Sequence, residues 1–85
     1  MTAQLSDREH AILEFEARWQ QPGGAKEQAI RAELALAPAR YYQLLGRLTE
    51  TARALEHDPM LVGRLRRMQE AGAQRRLART TGATL

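Results

Sequence analysis

Three polar side chains recur along one segment at a spacing that places them on one edge of an α-helix. Arg40, Gln43 and Arg47 stand at positions i, i+3 and i+7. Arginine can donate two hydrogen bonds to guanine, and glutamine can pair with adenine through its amide. The chain has no asparagine, so Gln43 is the best candidate for an adenine contact. The pattern predicts contacts with base edges in a DNA major groove, and an ordinary solvated helix face is the alternative.

Tyr42 and a set of further arginines extend this candidate site. Tyr42 can stack on a sugar or hydrogen-bond a phosphate, or it can simply cover a neighbouring helix. Residues 59–85 hold six arginines and one glutamate, whereas residues 1–58 carry a net charge of −2. Phosphate contacts from this basic end would add a salt-dependent attraction to DNA, and a solubilising tail is the alternative. The candidates are Arg64, Arg66, Arg67, Arg75, Arg76 and Arg79.

Other kinds of chemistry have little support in the sequence. Without cysteine there are no disulfides or thiolate ligands, and the lone His10 and His57 predict no metal site. The only serine, Ser6, fits a helix cap, so we expect no enzyme, cofactor or small-molecule substrate. No apolar run approaches the roughly 20 residues of a membrane span, and no signal-peptide pattern opens the chain. We therefore expect a cytoplasmic protein without membrane contact.

The composition of the chain predicts an all-α fold. Fifteen alanines and twelve leucines stand against one valine and two isoleucines, and β-branched residues are the ones that strands favour. A length of 85 residues allows one small domain. We expect a small bundle of four to five helices over residues 1–71, with a helix-turn-helix unit at about 25–50. A frayed, flexible basic tail is expected over residues 72–85.

Local signals place the ends of the first and last helices. Ser6 and Glu9 fit the capping box, which predicts a helix over about 7–20. The Asp58–Pro59 pair predicts the start of the last helix, with aspartate as the cap and proline at the first helical position. Residues 51–57 either continue the preceding helix or form a separate turn of helix.

Two helices and a short turn make the predicted helix-turn-helix. The second helix should cover about 25–35, with Lys26 pointing outward, and the third should run from Pro38 to about 50. Two polar residues, Glu16 and Arg31, interrupt the apolar faces of their helices. Because an unpaired buried charge is costly, we expect these two to pair with each other.

The last helix carries a short apolar stripe made by Leu61, Leu65 and Met68. This stripe either covers the core by packing on the first helix or forms the interface of a dimer or of a complex with a partner protein. The first alternative is favoured, because a unit of this size needs the extra buried apolar area.

Several strings of residues also resemble one protein family. The segments 24–31, 40–45 and 58–67, together with the apolar pattern of the first helix, are similar to a family of small actinobacterial proteins of unknown function. The resemblance covers roughly residues 8–68 and implies a helix-turn-helix fold. It also implies that arginine is usual at Arg31, and that Ala37 replaces a serine or threonine cap.

These observations predict a protein that binds double-stranded DNA as a transcriptional regulator or nucleoid-associated protein. A homodimer reading two half-sites would supply the specificity that one small unit lacks. Three acidic side chains near the expected groove face, Glu27, Glu33 and Glu50, oppose this function. The alternative is an adaptor that binds a protein of the transcription machinery, such as RNA polymerase, a sigma factor or another regulator, through its helical surface.

Overall fold

The computed structural model describes residues 4–83, and within that range the chain forms five α-helices and no strand. The helices are α1 (Asp7–Arg18), α2 (Gly24–Leu34), α3 (Pro38–Leu48), α4 (Ala52–His57) and α5 (Pro59–Ala83). The predicted all-α class is thereby confirmed. Across residues 4–83, no helix combines the length and the apolar character needed to cross a membrane.

Side-chain caps begin three of these helices. Ser6 Oγ accepts a hydrogen bond from the Glu9 amide at 3.1 Å, and the Glu9 carboxylate accepts one from the Ser6 amide at 2.9 Å. Thr51 caps α4. Of the two alternatives for residues 51–57, the structure therefore shows a separate helix and not a continuation of α3. Asp58 accepts from the Leu61 amide at 3.2 Å. The predicted capping box and the predicted start of the last helix are both confirmed.

The connection between α2 and α3 is a three-residue turn, as predicted. Ala35 adopts the left-handed conformation with φ 55° and ψ 38°, which costs an L-residue about 1–2 kcal/mol and is more often filled by glycine. Ala37 is the N-cap of α3 but offers no side-chain acceptor, and Pro38 occupies the first turn. The turn therefore redirects the chain without side-chain help.

One apolar core joins all five helices. Phe15 and Tyr41 are its largest fully buried aromatic residues, and their rings meet edge to face with centroids 5.5 Å apart. Trp19 is half-buried and stacks on Phe15, with ring centroids 6.0 Å apart. The buried apolar residues are Ile12, Leu13, Phe15, Ile30, Leu36, Tyr41, Leu45, Leu48, Ala54, Leu61, Val62 and Leu65.

The last helix differs from the expectation. It continues through Gly72 to Ala83, so the predicted change to a non-helical tail at residue 72 is wrong for residues 72–83; residues 84 and 85 lie outside the described range. The physical reason is that a lone glycine costs a helix only about 1 kcal/mol, and no proline follows it. The apolar stripe of α5 ends at Met68 because the helix extends past the core. Leu61 and Leu65 are buried, whereas Met68 is 59% exposed.

Candidate nucleic-acid interface

A buried polar cluster joins the first three helices. The Glu16 carboxylate on α1 accepts a hydrogen bond from Lys26 Nζ on α2 at 2.8 Å and from the Tyr41 hydroxyl on α3 at 2.6 Å. All three side chains are almost completely buried. Because one oxygen atom receives both donors, the positions of α2 and α3 relative to α1 are fixed at a single point. This Glu16–Lys26–Tyr41 cluster orients the helix that carries the candidate DNA-reading residues.

The cluster corrects two expectations from the sequence. Glu16 does have a partner on α2, but that partner is Lys26, which points inward, and not Arg31, which is exposed. The predicted Glu16–Arg31 pair and the outward Lys26 are therefore both wrong. The chain has one lysine among its thirteen basic residues, and that lone lysine is the signal that could have found the pair. A compact ammonium suits a narrow buried site better than a planar guanidinium does.

Tyr41 is held in its neutral form by this environment. Burial raises the pKa of the Tyr41 hydroxyl far above its ordinary value, and its hydrogen bond to the Glu16 carboxylate raises the pKa further. The hydroxyl therefore keeps its proton and donates a hydrogen bond to Glu16 at all physiological pH values. Tyr41 is therefore a core residue with a buried polar tip.

Two side chains of α5, Arg66 and Gln69, form hydrogen bonds with the C-cap residue of α3. Arg66 Nε donates to the Thr49 carbonyl at 2.6 Å, and its Nη2 donates to the Thr51 carbonyl at 3.3 Å. Gln69 donates to the Thr49 hydroxyl at 3.0 Å. Arg66 therefore supplies a partner to the Thr49 carbonyl at the C-cap of α3 and a second donor to the Thr51 carbonyl, which also accepts from the Leu55 amide. Its half-buried guanidinium is engaged inside the fold. Its expected role as a phosphate contact does not agree with this placement.

The three residues with the i, i+3, i+7 spacing do share an exposed edge of α3. Arg40, Gln43 and Arg47 are all exposed, while the opposite face of the helix lies in the core. Arg40 Nη1 donates a hydrogen bond to Gln43 Oε1, which aligns these two side chains. Arg47 borders a shallow groove that Arg8, Glu9 and Arg53 also line, and Arg53 is paired with Glu9. This edge is a row of polar side chains, and basic groups outnumber the one carboxylate around its C-terminal end.

Tyr42 lies away from that row. It is 40% exposed, contacts the Tyr41 ring at 5.0 Å between centroids, and has Lys26 Nζ 5.5 Å from its own ring centroid. It lines a groove with Leu65 and Met68 of α5. The structure therefore separates Tyr42 from the Arg40–Gln43–Arg47 row and places it on the side of α3 that faces α5.

Apart from Arg66, the arginines of α5 fall into two groups along the helix. Arg64 and Arg67 lie beside Asp58 and Met60 in the first half, with Arg64 half-buried and Arg67 exposed. The distal group, defined as Arg75, Arg76 and Arg79, is exposed on the helix. At about 100° per residue, this distal group continues the face that the first half of α5 buries in the core.

The acidic side chains near α3 are partly accounted for. Glu33 forms an exposed ion pair with Arg18 of α1, with Nη2 and Oε1 3.1 Å apart. Its charge is therefore balanced locally. Glu27 and Glu50 are exposed.

Comparison with known families identifies one relationship. The chain belongs to the family described as "Protein of unknown function (DUF3263)", whose model matches residues 4–77. The match begins just ahead of the capping box of α1 and ends within the distal half of α5. Comparisons with curated proteins and with solved structures found no match.

Proposed function

We propose that this member of the DUF3263 family is a cytoplasmic protein that binds double-stranded DNA, as a transcriptional regulator or nucleoid-associated protein. In this proposal α2 and α3 act as a helix-turn-helix unit, and α3 lies in the major groove. The observation that carries the proposal is the exposed row of Arg40, Gln43 and Arg47 on a helix whose opposite face is buried in the core. These side chains have the donor groups that guanine and adenine edges pair with.

The way in which α3 is held supports a reading role. Near its start, Tyr41 is bound to Glu16, and after its end Arg66 is bound to the carbonyl of Thr49. Residues that recognise a base sequence must be held within a fraction of an ångström by rigid surroundings. An exposed polar row on a helix fixed at both ends meets that requirement.

Phosphate contacts are assigned to α5 and exclude Arg66. The distal group of Arg75, Arg76 and Arg79 lies on the face of the helix that has left the core, where a DNA backbone can reach it. Arg64 and Arg67 in the first half of α5 add two further cations. Each phosphate contacted should steepen the fall of affinity with salt by about 0.9 in log–log slope.

The proposal is tested by titrating labelled double-stranded DNA with the protein at two salt concentrations and measuring fluorescence anisotropy. A sequence selected from random DNA serves as the preferred site. Arg47→Gln should weaken binding to that site by about 5- to 150-fold and flatten discrimination among sequences. Arg31→Gln is the matched control, because it removes the same charge from an exposed side chain on α2 that is not part of the row. Loss of Arg31 should leave discrimination unchanged.

A second candidate function is the adaptor that binds a transcription-machinery protein. The observation favouring it is the groove that Tyr42, Leu65 and Met68 line, since Met68 is 59% exposed beside it. Such an apolar contact would respond little to salt, whereas DNA binding would weaken steeply. If Arg47→Gln and a truncation after Glu70 both leave DNA binding unchanged, the DNA proposal fails and the adaptor replaces it.

A further inference from the structure

The only two histidines of the chain lie side by side in the fold. His10 on α1 and His57 at the end of α4 have ring centroids 4.6 Å apart, with the rings perpendicular. Sequence spacing does not predict this pairing, because α2 and α3 lie between the two histidines along the chain. Their meeting results from the packing of the short α4 helix against the start of α1, where Arg53 Nη2 also binds Glu9 Oε2 at 2.7 Å.

A carboxylate completes the group. Glu14 lies four residues after His10, so both side chains project from the same face of α1. One potential ligand atom from each of His10, Glu14 and His57 lies within 4.8 Å of the others. Glu14 and His57 are exposed and His10 is half-buried, so an ion has direct access from solvent.

We propose that His10, Glu14 and His57 form a binding site for a divalent transition-metal ion of the zinc type. Two imidazole nitrogens and one carboxylate oxygen are a ligand set that Zn²⁺ uses in proteins, with water in the fourth position. The nitrogen donors select against Mg²⁺ and Ca²⁺, which prefer oxygen ligands. Among other divalent ions, Cu²⁺ should bind at least as tightly as Zn²⁺.

The geometry needs only a small adjustment to accept the ion. In a tetrahedral site with bonds of about 2.0–2.2 Å, ligand atoms stand roughly 3.4 Å apart, so atoms that lie within 4.8 Å of one another must close by at most about 1.4 Å. Rotation of the exposed Glu14 and His57 side chains can supply that movement without a shift of either helix. The bound ion would join α1 to α4 next to the Asp58–Pro59 start of α5.

Zinc titration of the full, tag-free chain tests the proposal. Calorimetry at neutral pH should give one Zn²⁺ per chain, and Mg²⁺ should give no binding. Because the unfolded chain does not hold the three ligands together, zinc at about a hundred times its Kd should raise Tm by about 15 °C. His57→Ala, His10→Ala and Glu14→Gln should each weaken zinc binding by about tenfold or more, and Glu27→Gln on α2 should not.

Two results would overturn this site. One is a zinc stoichiometry and affinity that stay unchanged in both histidine variants. The other is an equal response to Mg²⁺. If His10→Ala lowers the stability of the fold, the calorimetric titration of His57→Ala and Glu14→Gln decides the matter, because both of these side chains are exposed. The experiment is independent of DNA binding, so failure of either proposal leaves the other standing.

Discussion

Three helices of this protein begin with a side-chain cap, and the two that carry the proposed DNA-reading unit do not. At the starts of α1, α4 and α5, the side chains of Ser6, Thr51 and Asp58 each accept a hydrogen bond from a backbone amide. By contrast, the N-cap residues of α2 and α3 are Gly23 and Ala37, and neither has a side-chain acceptor. A cap contributes about 1 kcal/mol to a helix. The α2–α3 pair must therefore obtain its stability elsewhere.

Tertiary contacts supply what the missing caps do not. Glu16 binds both Lys26 of α2 and Tyr41 of α3, and Arg66 satisfies carbonyl groups after the end of α3. The capped helices are therefore specified largely by their own sequences, whereas α2 and α3 are specified by the residues that meet them. This difference predicts that changes in the buried cluster disturb α2 and α3 far more than changes in the caps disturb any helix.

The largest effect is expected at Lys26. Lys26→Met leaves the Glu16 carboxylate buried with only the Tyr41 hydroxyl as a partner, and breaking a buried pair in this way costs about 3–5 kcal/mol. Urea denaturation followed by circular dichroism measures this loss. Arg31→Met is the matched control, because Arg31 is an exposed cation on the same helix, and it should change stability by no more than about 0.5 kcal/mol.

A double variant separates the buried pair from simple loss of packing. Glu16→Gln combined with Lys26→Met removes both charges, so the combined loss should be smaller than the sum of the single losses. Additive losses would contradict the coupling of Glu16 with Lys26. An Arg31→Met variant as unstable as Lys26→Met would instead favour the Glu16–Arg31 pairing that the sequence predicts.

An intermediate effect is expected at the missing cap of α3. Ala37 has the extended N-cap conformation, with φ −68° and ψ 143°, so a serine there can accept an amide without any change of backbone. Ala37→Ser should stabilise the protein by about 0.5–2 kcal/mol, measured as a rise in Tm. Ala39→Ser, at the second residue of the same helix, is the control and should give no gain in Tm. Equal effects at both positions would mean that the α3 boundary is misplaced.

The same contrast explains what the sequence could and could not predict. The capping box at Ser6 and the Asp58–Pro59 start are local signals, and both were predictable because a few neighbouring residues decide them. The partner of Glu16 was not, because the choice between Lys26 and Arg31 depends on how α1 and α2 pack. Periodicity also failed beyond Gly72, because it reports burial, and residues 73–79 of α5 are helical without being buried.

The candidate site divides in the same way. The exposed edge of Arg40, Gln43 and Arg47 followed from helix spacing alone. The internal use of Arg66 did not, since sequence composition cannot tell a solvent-facing arginine from one that binds a carbonyl 17 positions away. The meeting of His10 and His57 belongs with Arg66, because it too depends on tertiary packing.

The smallest effect is expected at Glu9, where a local cap and a tertiary contact share one side chain. The hydrogen bond from Arg53 and the capping bond from Ser6 hold the pKa of the Glu9 carboxyl below its ordinary value of 4.5. A lowered pKa means that the folded state favours the carboxylate, so this stabilisation is complete above about pH 4.5 and is lost as the pH falls through the lowered value.

Melting curves between neutral pH and about pH 3 test this assignment. Glu9→Gln should have a lower Tm than the natural chain at neutral pH, and the gap should narrow as the solution becomes acidic, because both chains then carry an uncharged group at position 9. Glu56→Gln, an exposed carboxylate change on α4, should leave the pH profile unchanged. Because the Glu9–Arg53 pair is partly exposed, Glu9→Gln should lower Tm at neutral pH by less than Lys26→Met does, and the decrease in Tm should become smaller still in high salt. If Glu9→Gln lowered Tm at neutral pH as much as Lys26→Met, the capped helices would depend on tertiary charge pairs as much as α2 and α3 do.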